Sequence, residues 1–291
     1  MVLLWYKLNF KVIACMPSDE PFVSQGMRIV DHLFSAGTRI FTTEEAKRVA
    51  LLYQVPIDQV NKILANLTKR KLIVRLRRGL YVAVGLLPKQ LETHSFIISA
   101  FLVQPSMISH WSALQYHGLT EQIPQAVTAS TPRKIVTPSM REKNQHPDQK
   151  HAWEINHVRY EYMTILEKNF FGFDLIWPEQ DLYARITDKE RTLLDLFIYP
   201  QLFGGIGEAL GILENAIASL DIKKLVEYAI KYDKKSVIKR LGWALAYFGV
   251  SKKQLAPLLK TEINYYCRLD SSKPAVGGYD KEWMIQNNLK G

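Results

Sequence analysis

The chain has 291 residues, 47% of them apolar and 23% charged; this is the make-up of an ordinary globular protein, one large domain or two small ones, and it excludes collagen-like, low-complexity and disulfide-scaffold classes. Its two cysteines, Cys15 and Cys267, can form no CxxC pair, so no structural zinc site is expected and a reducing, cytoplasmic location is. Lys and Arg outnumber Asp and Glu 38 to 28, a net +10, which favours a polyanionic partner, nucleic acid or an anionic membrane surface.

No run of apolar residues is long enough for a membrane span, and no membrane partner is expected. Residues 1–16 read MVLLWYKLNFKVIACM. Val12 to Cys15 could pass for a lipoprotein cleavage site, but Lys7 and Lys11 lie inside the apolar run instead of ahead of it, the wrong order for a signal peptide. Periodic structure begins near Met27. Residues 1–26 therefore read as a loose extension or a start-site artefact, with Met16 and Met27 both possible starts.

Arg28 to Ser35 reads as a short helix, with Ile29, Val30, Leu33 and Phe34 on one face and a stop at Gly37. Thr42 or Thr43 can cap a second helix from Glu44 to Tyr53, since Glu45 stands three residues after Thr42, the spacing of a capping box. Pro56 opens a third helix that runs to about Arg70. Its apolar stripe is Val60, Ile63, Leu64 and Leu67, and its opposite face carries Asn61, Lys62, Ala65, Asn66 and Lys69. Two strand-like runs follow, Leu72 to Arg75 and Leu80 to Val84, joined by Leu76-Arg77-Arg78-Gly79 with Gly79 suited to the turn. Three helices and a hairpin over residues 27–91 are the order of a winged helix-turn-helix domain.

Residues 92–291 read as a second, mixed α+β domain with a helical second half. Helices are expected at 92–102 and 111–117, and strands at Gln125–Ser130, His157–Ile165 and Leu182–Ile186. A long polar loop fills 131–150. Helices then follow at 188–198, 206–219, 221–232, 234–248 and 251–259, and an extended tail at Ile263–Leu269. No internal repeat is visible.

Between Gln59 and Leu91 there is no acidic residue, and the window holds Lys62, Lys69, Arg70, Lys71, Arg75, Arg77, Arg78 and Lys89. A charge run alone is most often a solvated face. Here the charges lie opposite the apolar stripe of the third helix and continue past the turn, which is the pattern of a DNA reader and its wing. Lys and Arg neutralise phosphates and release counterions. The amides of Asn61, Asn66 and, closer to the flank, Gln59 are of the type that pairs with adenine edges, and Ala65 permits close approach. The expected DNA-binding set is Thr43, Gln59, Asn61, Lys62, Asn66, Lys69, Arg70, Arg75, Arg77 and Arg78. A second basic region, Lys223 to Lys260, holds ten Lys and Arg. Its Lys235, Lys239 and Arg240 lie away from the apolar centre of their helix, as a solvated surface or a second phosphate- or partner-contacting one.

Catalytic signatures are absent. There is no GxSxG and no P-loop, and no carboxylates cluster as a metal-dependent nuclease needs. Gly204, Gly205 and Gly207 read as a helix-entry turn rather than an anion cradle. Glu190, three residues after Thr187, reads as part of a capping box, and Asp195 can pair with Arg191 at i, i+4. The histidines, His110, His117, His146, His151 and His157 among them, fall at no metal-binding spacing. No cofactor, metal or enzymatic activity is expected.

Several local patterns then line up in order. They are Arg77-Arg78-Gly79-Leu80-Tyr81; Ile108 to Leu119 (ISHWSALQYHGL); Ile186 to Asp195 (ITDKERTLLD) with Gly204-Gly205; Ser236 to Gly242 (SVIKRLG); and Arg268-Leu269-Asp270 followed by Gly278, Trp283 and Asn287. In these the chain, from about Met27 to Asn288, resembles the AbiEi-type antitoxins of type IV toxin–antitoxin systems. The resemblance implies an operator-binding winged helix that represses its own operon, and a C-terminal domain that counteracts a nucleotidyltransferase-like toxin and aids DNA binding. The N-terminal 26 residues and the 131–150 loop depart from the family pattern. Two other readings stand beside it, a solitary transcriptional regulator with a sensing C-terminal domain and a nucleic-acid-processing enzyme targeted by a winged helix.

Overall fold

A computed structural model of the chain describes residues 20–84, 93–135 and 152–289, with side chains from residue 25 onward. Lys89, the 91/92 boundary, the first 19 residues and most of the 131–150 loop lie outside the described residues. The chain divides into two compact units, Met1–His94 and Ser95–Gly291.

In the first unit, helices α1 (Glu20–Ser35), α2 (Thr43–Leu52) and α3 (Ile57–Lys69) stand with three strands, β1 (Ile40–Thr42), β2 (Ile73–Arg77) and β3 (Leu80–Ala83). The strands form an antiparallel sheet in the order β1-β3-β2. Helix α1 begins eight residues before the expected Arg28, within the expected extension. Pro21 suits a first helical turn. Gly26 argues against a helix from sequence, yet here it is the contact point. A Cβ at Gly26 would stand 2.9 Å from Ile63 Cγ2 and 3.1 Å from Leu67 Cδ1, so α1 reaches α3 only because the side chain is missing. Ile29, Leu33, Phe41, Ala46, Ala50, Val60, Ile63, Leu64 and Ile73 close the core.

The hairpin differs from the expected one. Strand β2 runs to Arg77, and Arg75 pairs with Tyr81 while Arg77 pairs with Leu80, so one residue bulges between them. The buried positions Ile73 and Leu76 are three apart, a phase change that an uninterrupted strand forbids and a bulge supplies. Both Arg75 and Arg77 are exposed as a result.

The second unit is mixed α+β. Strands β4 (Met107–Ile108), β5 (Ala126–Thr131), β6 (Ala152–Ile155), β7 (Val158–Thr164), β8 (Phe173–Glu179) and β9 (Leu182–Thr187) form one sheet in the order β6-β7-β5-β4-β9-β8. Pairs β5–β7 and β4–β9 are parallel and the others antiparallel. Helices α4 (Ser95–Leu102) and α5 (His110–Tyr116) pack on it. Five helices follow: α6 (Lys189–Ile198), α7 (Ile206–Ala216), α8 (Ile222–Tyr232), α9 (Lys235–Tyr247) and α10 (Lys252–Leu259). A small sheet of β10 (Cys267–Arg268), β11 (Gly278–Asp280) and β12 (Ile285–Asn287) has the order β10-β12-β11. Strands β4, β6, β8, β11 and β12 were not expected. They are two to four residues long or, in β8, an edge strand with Pro178 and no clean alternation. Of the expected tail, only Cys267 and Arg268 pair as strand.

Every residue of α6 from Glu190 to Ile198 is buried. The helix N-cap is Asp188, whose Oδ1 accepts from Arg191 N at 2.8 Å. This corrects the Thr187–Glu190 capping box, because Thr187 Oγ1 bonds Thr192 Oγ1 and Glu190 turns to Lys224. The expected Arg191–Asp195 pair forms, Nε to Oδ1 at 3.0 Å, with both side chains 1% exposed. Arg191 Nη1 donates to the carbonyls of Asn169 (2.7 Å) and Phe171 (3.1 Å), and its guanidinium lies 4.7 Å from the Phe171 ring centroid. The substitution Asp195→Ala leaves this cation buried without its counter-charge and should destabilise the second unit by about 3–5 kcal/mol, read from urea unfolding followed by tryptophan fluorescence. A loss below about 1 kcal/mol would refute the dependence of the unit on this pair.

Candidate nucleic-acid interface

The expected reader surface is assembled from α2, α3 and the β2–β3 turn. Thr42 is the N-cap of α2, and the reciprocal capping box is complete: Glu45 N donates to Thr42 Oγ1 at 3.2 Å and Thr42 N to Glu45 Oε2 at 2.6 Å. That settles the choice left open between Thr42 and Thr43, since Thr43 is the first helical residue. Its own amide donates to Gly79 O at 3.0 Å, which ties the start of α2 to the hairpin turn. Gly79 takes φ = 75°, the left-handed conformation a turn of this kind favours. On the adjoining strands Phe41 and Tyr81 stack with ring centroids 5.9 Å apart.

Along α3 the apolar stripe Val60, Ile63, Leu64 and Leu67 is buried. Asn61, Lys62, Ala65 and Lys69 are exposed, Gln59 and Asn66 half-buried. Arg70 caps the helix and is exposed, as are Arg75, Arg77 and Arg78. Thr43 is half-buried beside the turn. One helix face and one hairpin thus present seven Lys, Arg or Asn side chains to solvent. Among the described residues no carboxylate forms an ion pair with Lys69, Arg75, Arg77 or Arg78. Such a surface offers cations for phosphates and amides for base edges.

The second basic region sorts differently. Lys235 is exposed. Lys239 is only 3% exposed: its Nζ donates to Leu259 O at 3.2 Å and lies 5.8 Å from the Trp283 ring centroid. Burial holds its ammonium below the usual lysine range, against the opposing pull of Cys267. The expectation that Lys239 faces solvent is therefore corrected; its long stem carries the amine to the carbonyl of Leu259 at the end of α10. Arg240 is half-buried and donates Nε to Arg268 O at 2.9 Å, pinning β10 to α9. Lys224, read only as one more charge, has its Nζ 3.1 Å from Asp188 Oδ2 and 3.0 Å from Glu190 Oε2. Burial opposes its charge, but the two carboxylates outweigh it and hold the ammonium above the usual range. The signal was available in sequence, since Asp188 and Glu190 stand at the start of a helix whose second half is rich in Leu, Phe and Ile, and need a partner.

The remaining polar candidates are structural in position. His117 Nε2 donates to Thr187 O at 2.6 Å. His110 is buried with Nδ1 2.7 Å from Ser109 Oγ, and burial holds its imidazole below the usual range. Gly204 and Gly205 take φ = 84° and 103° and lead into α7. Among the described residues no three His, Cys, Asp or Glu stand close enough to hold a metal ion, and no helix is long and apolar enough to cross a membrane.

No family model and no curated protein matches the chain. Among solved structures it is similar to the crystal structure of the RV2827C protein from Mycobacterium tuberculosis, at 14% identity and a TM-score of 0.61, over 90% of this chain and 90% of that one. At that identity the likeness is one of fold. The capping box also makes a measurable demand: Thr42→Ala should lower the stability of the first unit by about 1 kcal/mol in thermal denaturation, and no change in melting would refute the capping role.

Proposed function

We propose that the chain is a DNA-binding antitoxin that represses its own operon and counteracts a nucleotidyltransferase-like toxin. On this reading α2, the turn at residues 53–56 and α3 are a helix-turn-helix, and the β2–β3 hairpin is its wing. The observation that carries the DNA part is the exposed face of Asn61, Lys62, Lys69, Arg70, Arg75, Arg77 and Arg78, in a stretch without a single acidic residue. From Asn61 onward the face carries one sign, after a single exposed carboxylate, Asp58, one turn before Lys62, whereas α2 mixes signs where Glu44 pairs with Lys47 at 2.8 Å. The antitoxin part is supported by the ordered patterns that resemble the AbiEi type. In this structure they fall on the wing turn, on α5, on the strand-to-helix passage from β9 into α6, on α9 and on the small sheet.

The electrostatic share of binding has a fixed signature. Contact with about six phosphates per protomer gives a slope near −5 in log affinity against log salt on duplex DNA carrying the region upstream of the gene, measured by fluorescence anisotropy. A flat response would sink the reading. Lys62→Glu combined with Lys69→Glu should reduce binding about a hundred-fold while the helical circular dichroism signal is retained.

The antitoxin role is tested by co-expression with the adjacent gene. Its induction alone should arrest growth, and this chain should relieve the arrest. The Lys62→Glu, Lys69→Glu chain should relieve it too, because the counteracting activity is assigned to the second unit. Operator binding without rescue would leave a solitary regulator.

A further inference from the structure

The small sheet has two unlike faces. Along the chain from Tyr266 to Leu269 exposure alternates: Tyr266 and Arg268 are out, Cys267 and Leu269 are buried. In parallel register Arg268 stands opposite Gln286 on β12, and in antiparallel register Gln286 stands opposite Tyr279 on β11. Directly paired residues share a face, so Arg268, Gln286 and Tyr279 form one row across all three strands, with Tyr266 beside them; Gln286, on the central strand, is covered and only 5% exposed. The inner face, Cys267, Leu269 and Ile285, joins the helical core.

The outer row is ordered. Gln286 Nε2 donates to Tyr279 Oη at 3.2 Å, and the rings of Tyr266 and Tyr279 meet edge to face with centroids 4.8 Å apart. Yet Tyr279 is 61% exposed and Tyr266 37%, with Tyr265 beside them at 55%. Aromatic rings positioned in this way offer flat apolar surface to water without losing it to the core.

Around the row the charges are mixed in sign, but the cations reach solvent while the carboxylates are held back: Asp270 is buried and Asp280 half-buried. Arg268, Lys273 and Lys281 are exposed, and Arg268 Nη1 donates to Lys273 O at 2.8 Å, which brings the two together. The neighbouring carboxylates are engaged. Asp270 accepts from Ser272 N and Oγ, Asp280 accepts from Trp283 N at 2.9 Å, and Glu282 pairs with Lys252 at 2.7 Å. An acidic protein surface would satisfy the cations and leave the rings unused. Duplex DNA would do the same, because its bases are stacked on one another. Unpaired nucleotides use both: each base has a face for a ring and each phosphate a charge for a cation. The two edge strands lie about 10 Å apart across β12, so a chain laid over the sheet can stack on Tyr279 and still reach Arg268 with its backbone.

We propose that the outer face of the β10–β12–β11 sheet binds single-stranded nucleic acid, with Tyr266 and Tyr279 stacking bases and Arg268, Lys273 and Lys281 holding phosphates. This site is separate from the α3 surface and does not depend on the antitoxin reading.

The test uses the full chain carrying Lys62→Glu and Lys69→Glu, which removes the α3 cations from the assay. Fluorescein-labelled 12-nucleotide oligouridine, oligodeoxythymidine and a duplex of the same length are titrated by anisotropy. Both single strands, or one of them, should bind at least ten-fold more tightly than the duplex; a preference for the RNA would assign a contact to its 2′-hydroxyls. Tyr266→Ala with Tyr279→Ala should weaken single-strand binding at least ten-fold, and Tyr266→Phe with Tyr279→Phe should stay within about three-fold. Lys273→Glu with Lys281→Glu should flatten the salt slope by about 1.4, two contacts at about 0.7 each. If the alanine pair melts early, the phenylalanine and glutamate pairs decide. The proposal is overturned if neither single strand binds, if the folded alanine pair binds as the parent does, if the phenylalanine pair loses binding, or if the duplex binds as tightly as the single strands.

Discussion

The second unit is organised around one charge that has left water. Arg191 sits in a helix with no solvent-facing side, and a guanidinium there is tolerable only if its donors are used. Asp195, the carbonyls of Asn169 and Phe171, and the Phe171 ring meet that demand. The two carbonyls belong to the segment just before β8, so meeting the demand also fixes how the large sheet approaches the helices. Gly172 belongs to the same arrangement. At φ = 72°, with a hypothetical Cβ 2.9 Å from both Arg191 Cβ and Tyr228 Cε2, it lets the backbone close over the arginine. Around this centre Asp188 caps α6 and also accepts from Tyr228 Oη at 2.7 Å, while Lys224 ties α8 to the same carboxylates.

Much of this was legible from spacing alone. The i, i+4 relation of Arg191 and Asp195, the apolar stripe of α3, the Thr42–Glu45 box and the glycine turn at residue 79 are local patterns, and each has the expected geometry. What was not legible depends on contacts distant in sequence. Gly26 weakens a helix on propensity but permits one that packs tightly on Ile63 and Leu67, so the start of α1 could be placed only with α3 in view. The bulge at Leu76 is invisible until β3 supplies its register. Strands of two or three residues, such as β4 and β12, carry too few positions to show a period of two.

The charges teach the same lesson. Composition counts every lysine alike, and the stretch from Lys223 to Lys260 looked like one basic surface. Packing divides it into Lys235, which is solvated, Lys224, which neutralises the carboxylates at a helix start, and Lys239, which spends its amine on a carbonyl. Among the described residues Lys69, Arg75, Arg77 and Arg78 have no such internal use. Net charge therefore does not locate a surface; burial shows which cations reach solvent.

Trp283 packs where any side chain on Gly242 of α9 would collide with it, and Trp283, Ile285 and Cys267 are members of the helical core. The core is thus completed by residues far along the chain from most of its helices. During synthesis the described core residues of the first unit have all emerged by residue 83, whereas the second unit cannot close over α9 until residue 283 and those after it have emerged. The two units mature in sequence, and a nascent chain exposes the basic face of α3 well before the second unit has closed its core.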